Sequence, residues 1–172
     1  IFQGLYTGNN KIFRNRIIIT KRKYDFIYVG KFIERKNLNI LLGAFNKIKN
    51  LNIKVNLLLV GGKKQKSKND VEVIPFSNSK RVAKLMGNSK CLILPSLEEN
   101  WGVVVHESSC CGCLLILSNK VGAREEFLNK NGYEFDPNNQ DDLILKMRKV
   151  LNLNKQDLQK KSYLSEEMSK KR

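Results

Sequence analysis

The sequence predicts a three-layer α/β domain with a parallel sheet. Short apolar runs rich in β-forming residues alternate along the chain with longer segments whose apolar residues recur at helical spacing. Most of the short runs end at glycine or proline, where a strand gives way to a loop. This alternation favours βαβ units, in which right-handed crossovers join parallel strands. Sheets of this kind bind their ligands beyond the carboxyl ends of the strands.

The amino-terminal stretch, residues 1–23, is loop-like and basic. It contains six basic residues and no acidic one, and the run 17–19 is a candidate short strand. Contact with phospholipid and a role as a solvated linker both fit this composition, and we favour the linker.

Residues 24–62 form the first strand–helix–strand unit. Residues 24–30 are β-formers that end at a glycine. A polar turn follows, and the next helix has an apolar face formed by Leu38, Leu41, Leu42, Phe45 and Ile48. Residues 53–60 are almost all β-formers and end at Gly61-Gly62, which indicates the next parallel strand.

The rest of the chain continues the alternation. The expected elements are a loop at 63–70, a strand at 71–74, a helix at 78–88 capped by Asn78 or Ser79, strands at 91–94 and 114–117, a short helix through 127–128, a strand at 132–135 and a helix over 139–151. We expect residues 24–153 to form the domain. Residues 1–23 are then a linker or interdomain remnant, and residues 154–172 are a basic C-terminal helix or tail.

Composition limits the class of protein. A chain of 172 residues fits one domain with a proper core. No apolar run approaches the ~18–20 residues that span a bilayer, and the first residues lack a signal-peptide pattern. The four cysteines are bunched, which favours a reduced, cytoplasmic protein over a disulfide framework. The formal net charge of +16 favours an anionic partner such as a nucleotide, nucleic acid or acidic membrane.

The stretch 94–117 carries the strongest functional signal. Glu99 lies in a polar turn after a strand, and Glu107 lies in the helix that begins near Val103. A helix start beside the carboxyl end of a strand offers unpaired N–H groups to a phosphate. Glu107 can accept hydrogen bonds from ribose hydroxyls and Glu99 from a second hydroxylated group, so the pair can hold a sugar nucleotide. Ordinary surface acids on an exposed helix are the alternative.

From about Tyr24 to Leu151 the chain resembles the C-terminal half of GT-B glycosyltransferases of family 4 (group 1). The matching segments keep the order of the family: VGKFIERKN at 29–37, LLLVGG at 57–62, LPSLEENWGVVVHESSCCGCLLILS at 94–118 and VGAREEFLNKNGYEFDPNN at 121–139. The third segment resembles the E-x7-E region of the family. The resemblance implies a Rossmann-like three-layer sandwich that binds the donor.

The resemblance also implies roles for individual residues. Lys31 and Lys36 neutralise the donor diphosphate, Glu107 holds the ribose, and Glu99 meets the transferred sugar. The nucleotide base packs near Phe76. The implied catalytic residues are Glu99, Lys36 and Lys31. The implied donor-binding residues are Gly30, Lys31, Lys36, Gly61, Gly62, Phe76, Glu99, Asn100, Trp101, Gly102, Val103, Val104 and Glu107.

The implied chemistry is sugar transfer with retention from a UDP- or GDP-sugar. No metal or other cofactor is expected, because the basic residues and the helix dipole stabilise the leaving diphosphate. The acceptor is a surface glycan or lipid-linked, and it binds an N-terminal domain that is missing from this chain. The isolated domain is therefore expected to be inactive, cytoplasmic and at most peripheral on the inner face of an anionic membrane.

The chain departs from the family at several positions. Lys31 replaces the commoner arginine, which loses a bidentate hydrogen-bonding group but keeps the charge. His106 and the run 108–111 are unusual in the helix. Trp101 is either a turn anchor or a lid over the sugar, and Gly61-Gly62 is either a plain turn or a ligand contact.

The sequence also has to be weighed against a metal site, a nucleic-acid-binding module and a non-catalytic remnant of a transferase. His106 with the cysteines suggests a metal site, but adjacent helical residues point about 100° apart and converge poorly, so metal is not expected. A basic α/β module that binds nucleic acid fits the charge, but the lysines are scattered and no nucleic-acid motif is present. A non-catalytic remnant of a transferase is the third, which retention of both glutamates and both lysines disfavours.

Overall fold

The computed structural model describes residues 8–14, 17–63 and 70–170. Over these residues the strands are β1 Tyr24–Val29, β2 Leu57–Gly62, β3 Val71–Pro75, β4 Ser89–Leu94, β5 Leu114–Ser118 and β6 Gly132–Phe135. The helices are α1 Leu38–Asn50, α2 Ser79–Gly87, α3 Val103–Cys110, α4 Arg124–Phe127, α5 Gln140–Leu151 and α6 Lys155–Lys170, with 3-10 turns at Ile19–Lys21 and Glu34–Lys36. No helix in the described ranges is long and apolar enough to cross a membrane.

The strands form one parallel sheet in the order β3-β2-β1-β4-β5-β6. All five residues of β5 are buried, and so are Phe26, Ile27 and Tyr28 at the centre of β1. Helices α1 and α5 pack together, while α3 packs with α6 and α2. These contacts give two helical layers around a sheet whose central strands are apolar on both faces, as parallel sheets require.

Strand β1 lies between β2 and β4, so the direction of strand progression reverses between β1 and β4. In open α/β sheets the crevice beyond the carboxyl ends at such a point is the usual ligand site. The two segments that enter this crevice are residues 30–37 after β1 and residues 95–102 after β4.

The predicted fold class and the alternation of elements are confirmed, and Asn78 is the residue that caps α2, accepting a hydrogen bond from the Arg81 amide at 3.0 Å. The strand predicted from residue 53 begins only at Leu57. The Asp25 amide donates to Oδ1 of Asn56 at 2.9 Å, and the Asn56 amide donates to Oδ2 of Asp25 at 3.1 Å. These bonds take the place of backbone-to-backbone hydrogen bonds between β1 and β2 at this point.

The described parts of both flanking segments pack on the domain. The predicted strand at 17–19 is wrong, since Ile19 instead begins a 3-10 turn and is buried. The buried guanidinium of Arg22 donates to the Ser89 carbonyl at 2.9 Å and to the Gly112 carbonyl at 3.2 Å. Residues 155–170 form α6, which buries Leu158 and packs along α3.

Candidate functional site

The candidate site lies where the segments after β1 and β4 meet. The Leu97 amide donates to the Arg35 carbonyl at 2.8 Å, and the Arg35 guanidinium donates to the Glu98 carbonyl at 3.3 Å. These two hydrogen bonds join the two segments directly before Lys36 and Glu99. They fix the relative positions of the next residue in each segment, Lys36 and Glu99.

Lys36 and Glu99 form an ion pair between the Lys36 ammonium and Oε2 of Glu99. Their side chains are only 12% and 15% exposed. Burial lowers the pKa of Lys36, and the neighbouring Arg35 guanidinium acts in the same direction. The Glu99 carboxylate opposes this effect, because a nearby negative charge favours the protonated ammonium. The pair therefore supplies a positive charge at the sheet edge together with its own counter-ion.

The loop after β5 holds Glu99 from the other side. The Glu99 amide donates to the Lys120 carbonyl at 3.1 Å, and the Gly122 amide donates to the Glu99 carbonyl at 2.9 Å. Nothing in the sequence indicates a role for Lys120 or Gly122, because any residue type can make a backbone hydrogen bond. The only signal was the family-like order of the segment 121–139.

Trp101 anchors the same turn. Its ring meets Phe127 of α4 edge-on, with 6.5 Å between ring centroids, and its carbonyl accepts a hydrogen bond from the Ala123 amide at 2.8 Å. Of the two alternatives left by the sequence, this geometry favours the turn anchor over the lid.

Helix α3 begins directly after this turn. Gly102 precedes it with φ of 91°, a left-handed conformation, and accepts a hydrogen bond from the Val105 amide at 2.9 Å. The amides of Val103 and Val104 belong to the first turn, where N–H groups lack partners inside the helix. The positive end of the helix dipole therefore lies beside the Lys36–Glu99 pair, at the end of the same turn.

Glu107 lies one turn further along α3, on the same face as Val103 because the two are four residues apart. Its side chain is half-buried, and burial raises the pKa of its carboxyl group. The amino-terminal segment contributes to this burial: a Cβ atom built on Gly8 would lie 2.5 Å from Cγ of Glu107. The composition of that segment predicts a linker, and no local pattern in the sequence indicates its contact with Glu107.

The remaining predicted residues line the rim of the site. Lys31 is exposed, and its carbonyl accepts a hydrogen bond from the Tyr28 hydroxyl at 2.9 Å. Phe76 lies just beyond β3 and is 86% exposed. Asn100 is exposed in the turn before α3. The structure thus brings Lys36 and Glu99 together and leaves Lys31 and Phe76 open to solvent.

The glycines at the sheet edge have a structural reason. Gly61 has φ of 119°, and a Cβ there would collide with the carbonyl of Gly30 in the neighbouring strand. A Cβ on Gly62 would strike the ring of Phe32. Both glycines are the last residues of β2 and are required there by close packing, whether or not they also contact a ligand.

Among the described residues no group of three or more His, Cys, Asp and Glu side chains is placed to hold a metal ion. Cys91, Cys111 and Cys113 are buried, and burial raises the pKa of all three thiols. Such thiols stay protonated and pack as small apolar groups.

Comparison with known proteins identifies the family of the chain. The family described as "Glycosyl transferases group 1" matches residues 9–167. An uncharacterized glycosyltransferase of Methanocaldococcus jannaschii is 29% identical over 161 residues, which cover 86% of this chain and 43% of that protein. The chain thus spans less than half the length of this relative.

Solved structures share the fold. Sucrose-phosphate synthase of Thermosynechococcus elongatus has a TM-score of 0.83 at 19% identity, covering 96% of this chain and 46% of its own. WaaG, a glycosyltransferase involved in lipopolysaccharide biosynthesis, has a TM-score of 0.74 at 18% identity, with 87% and 43% covered. A trehalose-6-phosphate protein of E. coli bound with UDP-2-fluoro glucose has a TM-score of 0.71 at 12% identity, with 89% and 41% covered.

A parallel sheet with this strand order, a family match over most of the chain and neighbours of GT-B architecture lead to one conclusion. The chain is the Rossmann-like C-terminal half of a GT-B fold and belongs to the group 1 glycosyltransferases.

Proposed function

We propose that this chain is the donor-binding domain of a retaining glycosyltransferase that uses a UDP- or GDP-sugar. The observation that carries the proposal is the partly buried Lys36–Glu99 pair beside the first turn of α3. A diphosphate needs cations and N–H donors, and a sugar needs a hydrogen-bond acceptor. This corner of the sheet offers all three within one turn.

In this proposal each of the four parts of the donor has its own place in the site. The diphosphate lies against Lys36 and the amides of Val103 and Val104, with Lys31 closing from the rim. The ribose hydroxyls bind the carboxylate of Glu107, and the base lies near exposed Phe76 at the end of β3. The sugar then points toward Glu99. This path follows the sheet edge from β3 across β1 to β4.

Charge accounts for the chemistry. As the bond between the sugar and the diphosphate of the donor breaks, negative charge grows on the departing diphosphate. Lys36 and the amino end of α3 are fixed before the reaction and stabilise that charge without reorganising. This arrangement needs no metal ion for charge neutralisation, and that remains our prediction for the cofactor requirement.

Lys36 changes partner when the donor binds. In the free protein Glu99 neutralises it. The diphosphate carries more negative charge than one carboxylate and competes for the ammonium. Glu99 is thereby released to accept hydrogen bonds from the sugar hydroxyls. The ion pair keeps both side chains in place until the donor arrives.

The acceptor is proposed to bind a part of the protein outside these 172 residues, because the relatives are more than twice as long as the matched region. A surface glycan or lipid-linked acceptor is our candidate, in line with the role given for WaaG. The isolated chain is expected to bind donor nucleotide without turning it over.

The experiment is calorimetric titration of the chain with UDP and GDP at moderate salt, repeated on Glu107→Ala and Lys36→Met. Binding of one nucleotide, weakened at least tenfold in both variants, supports the site, since each variant removes charge-assisted hydrogen bonds. Lys47→Met is the matched control, because Lys47 also pairs with an acid, Asp141, but on the exposed surface of α1.

Three outcomes would overturn the proposal. Binding that the Glu107 and Lys36 variants leave unchanged would move the site elsewhere. No binding of either nucleotide by a folded sample, as judged by circular dichroism, would favour a non-catalytic remnant. Salt-dependent binding of nucleic acid without any nucleotide effect would favour the nucleic-acid module.

We also propose that the protein is cytoplasmic and touches an anionic membrane at its periphery. An open groove between the amino-terminal segment and α2 combines an apolar floor with four basic side chains, those of Lys11, Arg14, Lys80 and Lys84. Cosedimentation with anionic vesicles tests this. Lys80→Glu with Lys84→Glu should abolish it, whereas the same change at exposed Lys155 and Lys160 of α6 should reduce it only in proportion to charge.

A further inference from the structure

His106 is the single histidine of the chain, and it is fully buried. The Gly8 amide donates a hydrogen bond to its Nδ1 at 2.8 Å. Its Nε2 lies 3.2 Å from the carbonyl oxygen of Ser169 at the end of α6. Because an amide only donates and a carbonyl only accepts, these partners require the neutral ring with the proton on Nε2.

The ring joins three parts of the chain that are far apart in sequence. The ring belongs to α3. It is hydrogen-bonded to Gly8 in the amino-terminal segment and lies within hydrogen-bonding distance of the Ser169 carbonyl near the end of α6. It also stacks on Phe127 of α4 with 5.1 Å between ring centroids and an interplanar angle of 28°. A side chain with both nitrogens occupied and one face covered has a single orientation.

The amino-terminal partner touches the next residue of α3. Gly8 lies so close to Glu107 that a Cβ atom on Gly8 would come within 2.5 Å of Cγ. The hydrogen bond to His106 therefore also keeps the backbone of residue 8 beside the aliphatic part of Glu107. A glutamate at the same helical position without this wall has several rotamers available.

We propose that His106 is a positioning residue for the donor site: it holds Gly8, the first residue of the leader segment (residues 8–14), against Glu107 and ties it to the end of α6. Glu107 then presents its carboxylate in one direction, ready for a pair of vicinal hydroxyls. The inference rests on the proposed function for the identity of the ligand. The coupling of His106 to Glu107 is a property of the free chain.

Protonation of the His106 ring would break its hydrogen bond to the Gly8 amide. A proton on Nδ1 would face the Gly8 N–H, so the hydrogen bond is lost when the ring becomes charged. Burial lowers the pKa of His106, so the ring stays neutral and keeps its hydrogen bond to Gly8 at neutral pH. In the described part of the chain, Glu107 lies beside Gly8, and the cavity lined by Ser169 is also lined by Arg14, Cys110, Glu166 and Lys170.

The test uses four variants of the full chain. His106→Leu removes both hydrogen bonds, and His106→Asn is a shorter amide that reaches only one partner. Gly8→Ala leaves His106 intact but pushes a methyl group into Glu107. Ser108→Ala is the matched control, because Ser108 is buried on the same helix and, among the described residues, its hydroxyl donates to the Val105 carbonyl in its own turn.

Three measurements are made at pH 7.5. They are the 15N shifts of the His106 ring, the exchange rate of the Gly8 amide proton, and the 13C titration of the Glu107 carboxyl group. We expect the Nε2–H tautomer in the wild-type chain. His106→Leu should expose the Gly8 amide and return the pKa of Glu107 toward that of an ordinary glutamate. His106→Asn should have a smaller effect and Ser108→Ala none.

Nucleotide affinity is measured on the same samples. His106→Leu and Gly8→Ala should each weaken the nucleotide identified by calorimetry about tenfold, the loss expected when a preset carboxylate must be ordered on binding. An Nδ1–H tautomer, or a leader segment released without any change in affinity, would overturn the inference.

A failure of the proposed function is distinguishable from a failure of this inference. If the wild-type chain binds no nucleotide, the proposed function fails, and the Glu107 titration still decides whether His106 positions Glu107. An unchanged titration in both His106→Leu and Gly8→Ala would refute the coupling. If His106→Leu does not fold, Gly8→Ala and His106→Asn carry the same comparison.

Discussion

Replacing Glu99 by glutamine should destabilise the free chain and tighten its binding of UDP or GDP at the same time. The change keeps the shape of the side chain but removes the counter-ion of Lys36. The ammonium would then be left with little solvent, because its side chain is only 12% exposed. A diphosphate would supply the missing negative charge, so part of the lost free energy should reappear on binding.

The magnitude follows from the burial of the pair. Breaking a fully buried ion pair costs about 3–5 kcal/mol, and an exposed pair contributes about 0–1 kcal/mol. At 12% and 15% exposure we expect a loss of about 2 kcal/mol in the free energy of unfolding. For a chain of this size that lowers the Tm by about 4–8 °C. Recovery of about 1 kcal/mol on binding would make the nucleotide Kd about fivefold lower.

The assay is thermal unfolding by circular dichroism, with and without nucleotide, combined with calorimetric titration. Free UDP or GDP is used without a sugar, so that loss of a sugar contact to Glu99 does not enter. Asp141→Asn is the matched control, because it breaks a pair whose acid is 83% exposed. A Glu99→Gln chain that binds nucleotide more weakly, or is as stable as the wild type, would refute the competition between Glu99 and diphosphate for Lys36.

Three further outcomes are expected. Glu107→Gln should raise the free energy of unfolding at pH 7.5, because burial raises the pKa of Glu107 and penalises its ionised form. The same variant should bind nucleotide at least tenfold more weakly. A variant that loses both stability and affinity would contradict this. The urea midpoint of unfolding should fall as the pH drops below about 6.5. The reason is that His106 has a lowered pKa in the folded state, so the unfolded chain takes up the proton first. His106→Asn should lose this part of the pH dependence. Asn78→Ala should cost about 1 kcal/mol by urea unfolding and leave nucleotide binding unchanged, since it removes only the cap of α2.

Local order was predictable from the sequence because it depends on neighbours. Apolar spacing predicted α1, and the asparagine at position 78 predicted the start of α2. The strand predicted from residue 53 was too long because Asn56 and Asp25 bind each other across the sheet, which no local pattern reveals. The run 17–19 is β-forming by composition, yet Ile19 enters a 3-10 turn as the buried Arg22 three residues later bonds across the domain.

The sequence by itself determined that strands and helices alternate and that Lys36 and Glu99 each follow a strand. Only the tertiary structure decided that β1 and β4 are neighbours, and hence that these two side chains, 63 positions apart, form an ion pair. The contact of Gly8 with Glu107 and the bonds of His106 to Gly8 and Ser169 likewise depend on packing. The physical reason is that the partners of His106 are the backbone groups of Gly8 and Ser169. Every residue carries such groups, so the residue type does not reveal which of them will form a contact.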